Sequence, residues 1–380
     1  MDDVKQQALD IHKKFKGKLE TGLKDPVDSM EKLSLYYTPG VGAVSSYVAE
    51  HPEEARNYTQ INNTVAVVSD GSAVLGLGNI GPLGALPVME GKAVLFKSFA
   101  NVDAVPIVLN TQDPDEIINI VKAIAPTYGG INLEDIKAPQ CFYIEETLKQ
   151  ELDIPVFHDD QHGTAIVVLA GLINACKLTN RDLNDSWITV SGVGAAGVAI
   201  IKLIKQYAPK ANILAVDSKG IIWSGRDDLN ETKLSLIKQD LIFAEDGGDL
   251  AKAMTEADIF IGVSLGGLLK KEMVATMNKD AIIFAMANPV PEIYPDEAKQ
   301  AGAAVVATGR SDFDNQVNNA LVFPALFRGA LDNNVKAITE EHKMAAAKAL
   351  AGLIENPTPD KIIPDIFDKR ILEAVSSVVK

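Results

Sequence analysis

Apolar positions along the chain fall into two rhythms, short β-branched runs and longer stripes of helical period. Residues 64–69, 105–109, 187–191, 212–217, 258–264, 281–285 and 302–308 are short, rich in Val, Ile and Ala, and bounded by glycine, proline or acid, as buried strands are. Val4, Ala8, Ile11 and Phe15 share one face of a lysine-rich helix over 3–19, and Ile117, Ile118, Val121 and Ile124 form a stripe behind a capping Asp113 and Pro114. Residues 141–152, 163–175, 198–207 and most of the chain after Phe323 also have helical spacing. Strands alternating with helices predict an α/β fold with parallel sheets. Asp70-Gly71 is a turn signal, and it predicts a hairpin between strand 64–69 and residues 73–77.

The polar residues that interrupt this rhythm carry the chemistry. A strand ending at Phe157 runs into His158-Asp-Asp-Gln-His-Gly-Thr-Ala165 and then a helix, so Asp159 and Asp160 are expected on a strand-to-helix turn. The strand 129–136 likewise ends in Glu134 and Asp135. Ligands of open α/β sheets bind in the crevice beyond such turns, and two acidic pairs there offer oxygens for one Mg²⁺ or Mn²⁺. The plain alternative is that Asp160 or Thr164 caps the helix. Lys92 heads an apolar run, where a lysine can simply reach for water unless a partner holds it.

Further along, strand 187–191 meets Gly192-Val-Gly-Ala-Ala-Gly197, a helix, and a second strand ending in Asp217. This is the full dinucleotide fingerprint: Gly192, Gly194, Ala195, Ala196 and Gly197 let a pyrophosphate approach the helix N-terminus, and Asp217 accepts the ribose hydroxyls. Gly76-Leu-Gly-Asn-Ile-Gly81 has the same spacing but no surrounding strand, turn and helix, and Pro82 follows at once. At Asp217 the carboxylate favours NAD by roughly 1–2 kcal/mol over NADP, with Ser218 beside it and Lys219 the group that could instead neutralise a 2′-phosphate.

With 380 residues, 47% of them hydrophobic, the chain can bury two cores. A division at 160/161 is expected, with a catalytic domain over 1–160 and a dinucleotide-binding domain with C-terminal helices over 161–380. A net charge of −15 argues against nucleic-acid or anionic-membrane partners. The uncharged stretch 71–89 carries Pro82, Pro87 and many glycines, which suits turns on a buried surface rather than a membrane helix. Cys141 and Cys176 are isolated, so a reduced cytoplasmic setting is expected. The apolar stripe of the first helix suggests a homodimer.

Taken together, Tyr37-Thr-Pro-Gly40, Gly76 to Gly81 with Gly91-Lys92, Leu133-Glu-Asp135, the 158–165 motif, the glycine turn, Asn288-Pro289 and Asn318 to Pro324 resemble the malic enzyme family in its short bacterial form. The resemblance implies an N-terminal malic-type α/β domain followed by a Rossmann-like, doubly wound NAD-binding domain. It implies oxidative decarboxylation of malate to pyruvate with NAD, or NADP, and a divalent cation. By the same likeness Glu134, Asp135 and Asp160 are metal ligands, Lys92 is the general base with Asp159 beside it, Tyr37 is the general acid, and Asn288 and Asn319 bind substrate, Asn288 also facing the cofactor. Oxaloacetate decarboxylation and direct conversion of malate to lactate are the alternatives, and a non-catalytic nucleotide sensor fits poorly with so many retained groups. One departure stands out: Ala73 occupies the place where larger members carry a carboxylate-gripping arginine, and Arg310 or Lys97 are candidates to replace it.

Overall fold

The computed structural model describes residues 2–74 and 76–380. Two parallel sheets organise it. The first contains β1 (Thr64–Ser69), β2 (Asp103–Val108), β3 (Gly130–Leu133) and β4 (Val156–His158), in the order β2-β1-β3-β4. The second contains β5 (Trp187–Ser191), β6 (Asn212–Asp217), β7 (Gly220–Ile221), β8 (Ile259–Gly262), β9 (Ala281–Ala285) and β10 (Ala303–Thr308), in the order β10-β9-β8-β5-β6-β7. Within it β7 alone runs antiparallel, folding back on β6 through the Asp217–Gly220 turn. In the second sheet the order reverses between β5 and β8, and in the first β1 has β2 and β3 on opposite sides. Both crevices therefore open at the C-terminal strand ends, where the polar motifs lie.

Several expectations are corrected. The hairpin after β1 does not form, because both edges of that strand are taken by parallel partners, β2 and β3. The expected second strand over 73–77 includes Leu75, which lies outside the described residues, and around it Gly71, Gly76 and Gly78 all adopt positive φ. The stretch 71–89 is only half turn: a helix, Gly81–Ala100, starts inside it, with Pro82 in its first turn and Pro87 tolerated within. The strand around 105–109 is β2, a half-exposed edge strand on which Pro106 costs little. The first helix stops at Phe15, before the positive-φ pair Lys16 and Gly17. The expected stripe behind Asp113 is found, on Pro114–Ile124, with Asp113 accepting from Asp115 and Glu116.

The helix Asp159–Thr179 joins the two halves. It leaves the end of β4, and its body from Ala165 to Cys176 is buried in the main core alongside β5, β8 and β9 residues. It is long and apolar enough to cross a membrane by composition, but two-thirds of that window is buried inside the protein, as in a core helix. Helix Phe323–Asp332, the first of three in the C-terminal segment, returns to the first sheet. There Phe323 and Phe327 meet Phe96 edge-on at 4.7 and 5.4 Å between ring centroids, and Phe327 meets Phe157 at 6.0 Å.

All four rings are fully buried, so Phe327→Ala should remove transfer energy and leave a cavity, at a cost of about 3–5 kcal/mol. Urea unfolding measures this. A loss under 1 kcal/mol would show that the aromatic cluster does not hold the halves together.

Candidate active site at the facing strand ends

Four carboxylates and one lysine come together where β3 and β4 end. Glu134 follows β3, and its amide donates to the Val68 carbonyl of β1, which carries the strand register one residue further. Asp135 then adopts φ +55°, a left-handed conformation that turns the chain back across the strand ends. Asp159 and Asp160 are the first two residues of their helix rather than turn residues, in the position where the helix dipole favours negative charge. The Asp135 amide donates to Asp160 Oδ2 at 2.8 Å and so fixes one acidic pair against the other.

Lys92 reaches this group from the helix Gly81–Ala100. Its Nζ lies 2.6 Å from Asp159 Oδ2 and 2.8 Å from Glu134 Oε1, and 4.3 Å over the ring of Phe323. Burial alone would push the Lys92 ammonium down. Asp159, Glu134 and Asp160 outweigh it and hold the group above its ordinary value. Burial pushes the Asp159 carboxyl up to about 6, against the pull of Lys92, and raises Glu134 as well.

The donor set suits a hard cation. Oxygens of Glu134, Asp135 and Asp160 all lie within 4.8 Å of one another, close to the roughly 4.2 Å that separates ligands on opposite sides of an ion with 2.1 Å bonds. Lys92 balances only part of the charge of Asp159, Glu134 and Asp160, and Asp159 Oδ1 is buried with no hydrogen-bond partner. Buried charge without compensation is costly, and a divalent cation would supply what is lacking.

A glutamate not singled out in the sequence supports the motif from behind. Glu145 accepts from the His158 amide, from Gln161 Nε2 and from the His162 ring, and pairs with Lys149. Burial would raise its carboxyl, but His162 and Lys149 hold it well below the usual range. Burial pushes His162 down to about 4, so the ring is neutral; it accepts from Lys343 Nζ at Nδ1 and donates to Glu145 from Nε2. A signal was available: Glu145 occupies an inward position of the stripe formed by Cys141, Ile144 and Leu148.

The second sheet contributes the nucleotide cradle. Gly192 has φ +103°, and a Cβ there would lie 2.6 Å from the Val263 carbonyl. At Gly197 a Cβ would strike the Gly192 carbonyl at 1.8 Å, whereas Gly194 faces open space. Ala195 and Ala196 begin the helix Ala195–Tyr207, whose first turn carries no acid, so its free N–H groups suit a pyrophosphate. Glu292, fully buried and also missed, accepts from the amides of Ser264 and Ala287 and ties the β8 and β9 loops together.

Asn288 and Asn319 arrive from opposite directions. The Asn288 carbonyl presses on Gly76, where a Cβ would come within 2.7 Å, so the loop after β1 touches the loop after β9. Asn319 packs on the acidic turn: its Cβ would be 3.0 Å from a Cβ on Gly163, which would also collide with Asp159. Of the two candidates to replace the missing arginine, Arg310 donates to the Pro289 carbonyl and pairs with Asp312, beside Asn288. Lys97 is exposed and paired with Asp103 at the sheet edge, and drops out.

Two expected residues differ from expectation. Tyr37 follows the helix Met30–Tyr36 with its side chain 68% exposed, outside the hydrogen bonds of the acidic cluster. Asp217 ends β6 as expected, next to the exposed Ser218, but its carboxylate is not a free acceptor: Arg226, Lys233 and the Lys219 amide all donate to it. Arg226 belongs to an Arg-Asp-Asp run that reads as solvated loop, and nothing in the sequence marks its partner.

Comparison with known proteins comes from both directions. The model of the malic enzyme N-terminal domain matches residues 16–149, and that of the malic enzyme NAD-binding domain matches residues 161–379. The chain is 54% identical over 379 residues to a bifunctional malic/malolactic enzyme of Bacillus subtilis, covering 99% of this chain and 92% of that one. It is 53% identical over 366 residues to an NAD-dependent malic enzyme of Geobacillus stearothermophilus, covering 96% and 76%. The crystal structure of an NAD-dependent malic enzyme from Thermotoga maritima superposes with a TM-score of 0.94 at 50% identity, covering 98% of each chain.

Lys92→Ala should destabilise the metal-free protein by about 3–5 kcal/mol at pH 7.5, since buried carboxylates lose their counter-charge. Asp159 and Glu134 have folded pKa values above their unfolded ones, Asp159 at about 6, so their protonation favours the folded state as pH falls. The deficit should therefore be widest above pH 6 and narrow towards pH 4.5. Urea unfolding in chelator at both ends tests it; an equal deficit at each would mean that Lys92 acts through packing alone.

Proposed function

This chain belongs to the malic enzyme family, and from that premise we propose that it converts malate to pyruvate and CO₂ with reduction of NAD(P), using Mg²⁺ or Mn²⁺. The observation that carries this reading is Lys92 set between Asp159 and Glu134, beside a three-carboxylate cluster that fits a hard cation. Glu134, Asp135 and Asp160 would hold that cation. When bound it acts as a Lewis acid on the C2 oxygen of malate.

The chain's own groups account for the proton movements. Lys92 is held protonated by its three acidic neighbours. Once two of them are engaged by a cation, burial favours the neutral amine, the form that takes the C2 hydroxyl proton. Asp159 keeps the amine aimed. Asn288 and Asn319 offer amide groups to the substrate carboxylates from the β9 side and the acidic-turn side. Gly192 and Gly197 would let a dinucleotide lie against β5, and its nicotinamide would accept the C2 hydride before the C3–CO₂ bond breaks.

Tyr37 would return a proton to C3, which requires the exposed arm to close over the cluster or a second copy to deliver it. We infer a homodimer, because the first helix exposes Val4, Leu9, Ile11 and Phe15 together, each more than half accessible. A cytoplasmic setting accords with two buried, unpaired cysteines. Conversion of malate to lactate on retained cofactor is the second reading, favoured by the double activity in the name of the Bacillus subtilis relative.

Incubation with malate, Mn²⁺ and NAD or NADP should yield the reduced cofactor and pyruvate; lactate formed without net cofactor reduction would establish the second reading instead. Asp160→Asn should weaken Mn²⁺ binding at least tenfold by calorimetry, and Lys92→Ala should slow malate oxidation about 10²-fold or more with nucleotide affinity intact. Unchanged Mn²⁺ affinity would remove Asp160 from the ligand set. Deleting residues 1–16 should leave monomer in sedimentation velocity, and a surviving dimer would show that the first helix is not the interface.

A further inference from the structure

The acid that ends β6 is saturated. A carboxylate offers about four lone-pair positions, and Asp217 uses all of them. Oδ1 accepts from Arg226 Nη1 at 2.9 Å and from the Lys219 amide at 2.9 Å. Oδ2 accepts from Arg226 Nη2 at 3.0 Å and from Lys233 Nζ at 2.6 Å. The guanidinium is itself gripped on its other side, with Nε and Nη2 donating to the two oxygens of Asp228 at 2.8 Å. Arg226 is thus locked between two aspartates and nine-tenths buried, so it cannot swing aside as a surface arginine could.

This arrangement changes what the adenosine end of a dinucleotide would meet. A ribose diol needs a free carboxylate acceptor, and to obtain one it would have to displace a charge-assisted hydrogen bond. A 2′-phosphate needs positive charge with unused donors. Lys219 and Lys233 each have three N–H groups and one paired partner, Asp228 at 2.7 Å and Asp217 at 2.6 Å. Lys219 is two-thirds exposed and Lys233 one-fifth. Three cations face two aspartates here, so the local charge is positive where a lone Asp217 would have made it negative.

We propose that Arg226 masks Asp217, and that Lys219 and Lys233 then form a 2′-phosphate pocket, so that this chain accepts NADP at least as readily as NAD. The inference rests on the cofactor reading given above, and it reverses the preference that Asp217 alone implied. Arg226 is a positioning residue here: it has no donor left for the ligand and acts by neutralising the aspartate. Its neighbourhood explains why an acidic strand end need not exclude a phosphate. Salt should matter as well, because the exposed Lys219 ammonium carries part of the interaction.

The test uses binding alone, with no malate, metal or turnover. Adenosine 2′,5′-bisphosphate and 5′-AMP, which differ only in the 2′-phosphate, are titrated into the intact protein by calorimetry. The wild type should bind the bisphosphate at least as tightly, with the advantage shrinking in 0.5 M salt. Arg226→Gln should cut the bisphosphate-to-AMP preference at least tenfold with AMP affinity held within about threefold, as the unmasked carboxylate repels the phosphate. Lys219→Ala, on an exposed side chain that folding does not need, should cut it in the same direction. A wild type that prefers AMP tenfold, or a preference unmoved by both substitutions, would overturn the assignment. Failure to bind either nucleotide would overturn it together with the cofactor reading, whereas nucleotide binding without malate turnover would count only against the proposed reaction.

Discussion

An ammonium sits 2.6 Å from Asp159 and 2.8 Å from Glu134 in a place almost closed to water, and the surrounding structure serves to keep it there. Burying charge is unfavourable unless partners are close and well aimed. Here the partners come from three different elements: the helix Gly81–Ala100, the end of β3 and the start of the helix Asp159–Thr179. No two of these are neighbours in sequence. Their meeting depends on the register β2-β1-β3-β4, which brings the C-terminal ends of β3 and β4 side by side, and on Phe323 beneath the Lys92 ammonium.

The cluster is also under tension, since one lysine faces three acids, Asp159, Glu134 and Asp160. Part of that charge is relieved through shifts in protonation, with Asp159 pushed up to about 6, and the clustered oxygens of Glu134, Asp135 and Asp160 are what the proposed cation would neutralise. Stability and function pull apart at this point. An all-apolar strand end would fold more readily, and the acids are tolerated because Glu145, His162 and Lys343 build a second, fully partnered polar layer behind them.

Periodicity made the order of elements legible, because β-branched runs and 3.6-residue stripes are properties of contiguous sequence. The glycine turn was legible for the same reason: the strand, Gly192 to Gly197, the helix and Asp217 form one local unit. Contacts across the chain were not. Nothing near Asp70-Gly71 says that both edges of β1 are occupied, and so a hairpin looked reasonable. Arg226 lies nine residues beyond Asp217 in a loop of ordinary charged composition, and its bidentate grip on that acid appears only when β7 folds back on β6. Glu145 lies between these cases, an acid at a stripe position whose inward placement was readable although its partners were not.

The helix Asp159–Thr179 shows why the two halves cannot be treated as a catalytic part and a binding part. Its first turn presents Asp159 and Asp160 to the first sheet, while its middle is packed against β5, β8 and β9. Lower down, Asn174 donates to the carbonyls of Ala351 and Ile362, which pins the helix to the C-terminal segment from inside the core. At its upper end Gly163 has no side chain because Asn319, from that same C-terminal region, occupies the space beside Asp159. A shift of this helix along its axis would move both acids away from Lys92 and Glu134 and at the same time strain the Asn174 and Asn319 contacts. The position of the acids is therefore set by residues up to two hundred positions later in the chain, and the core of the nucleotide half works as the mounting of the acidic cluster.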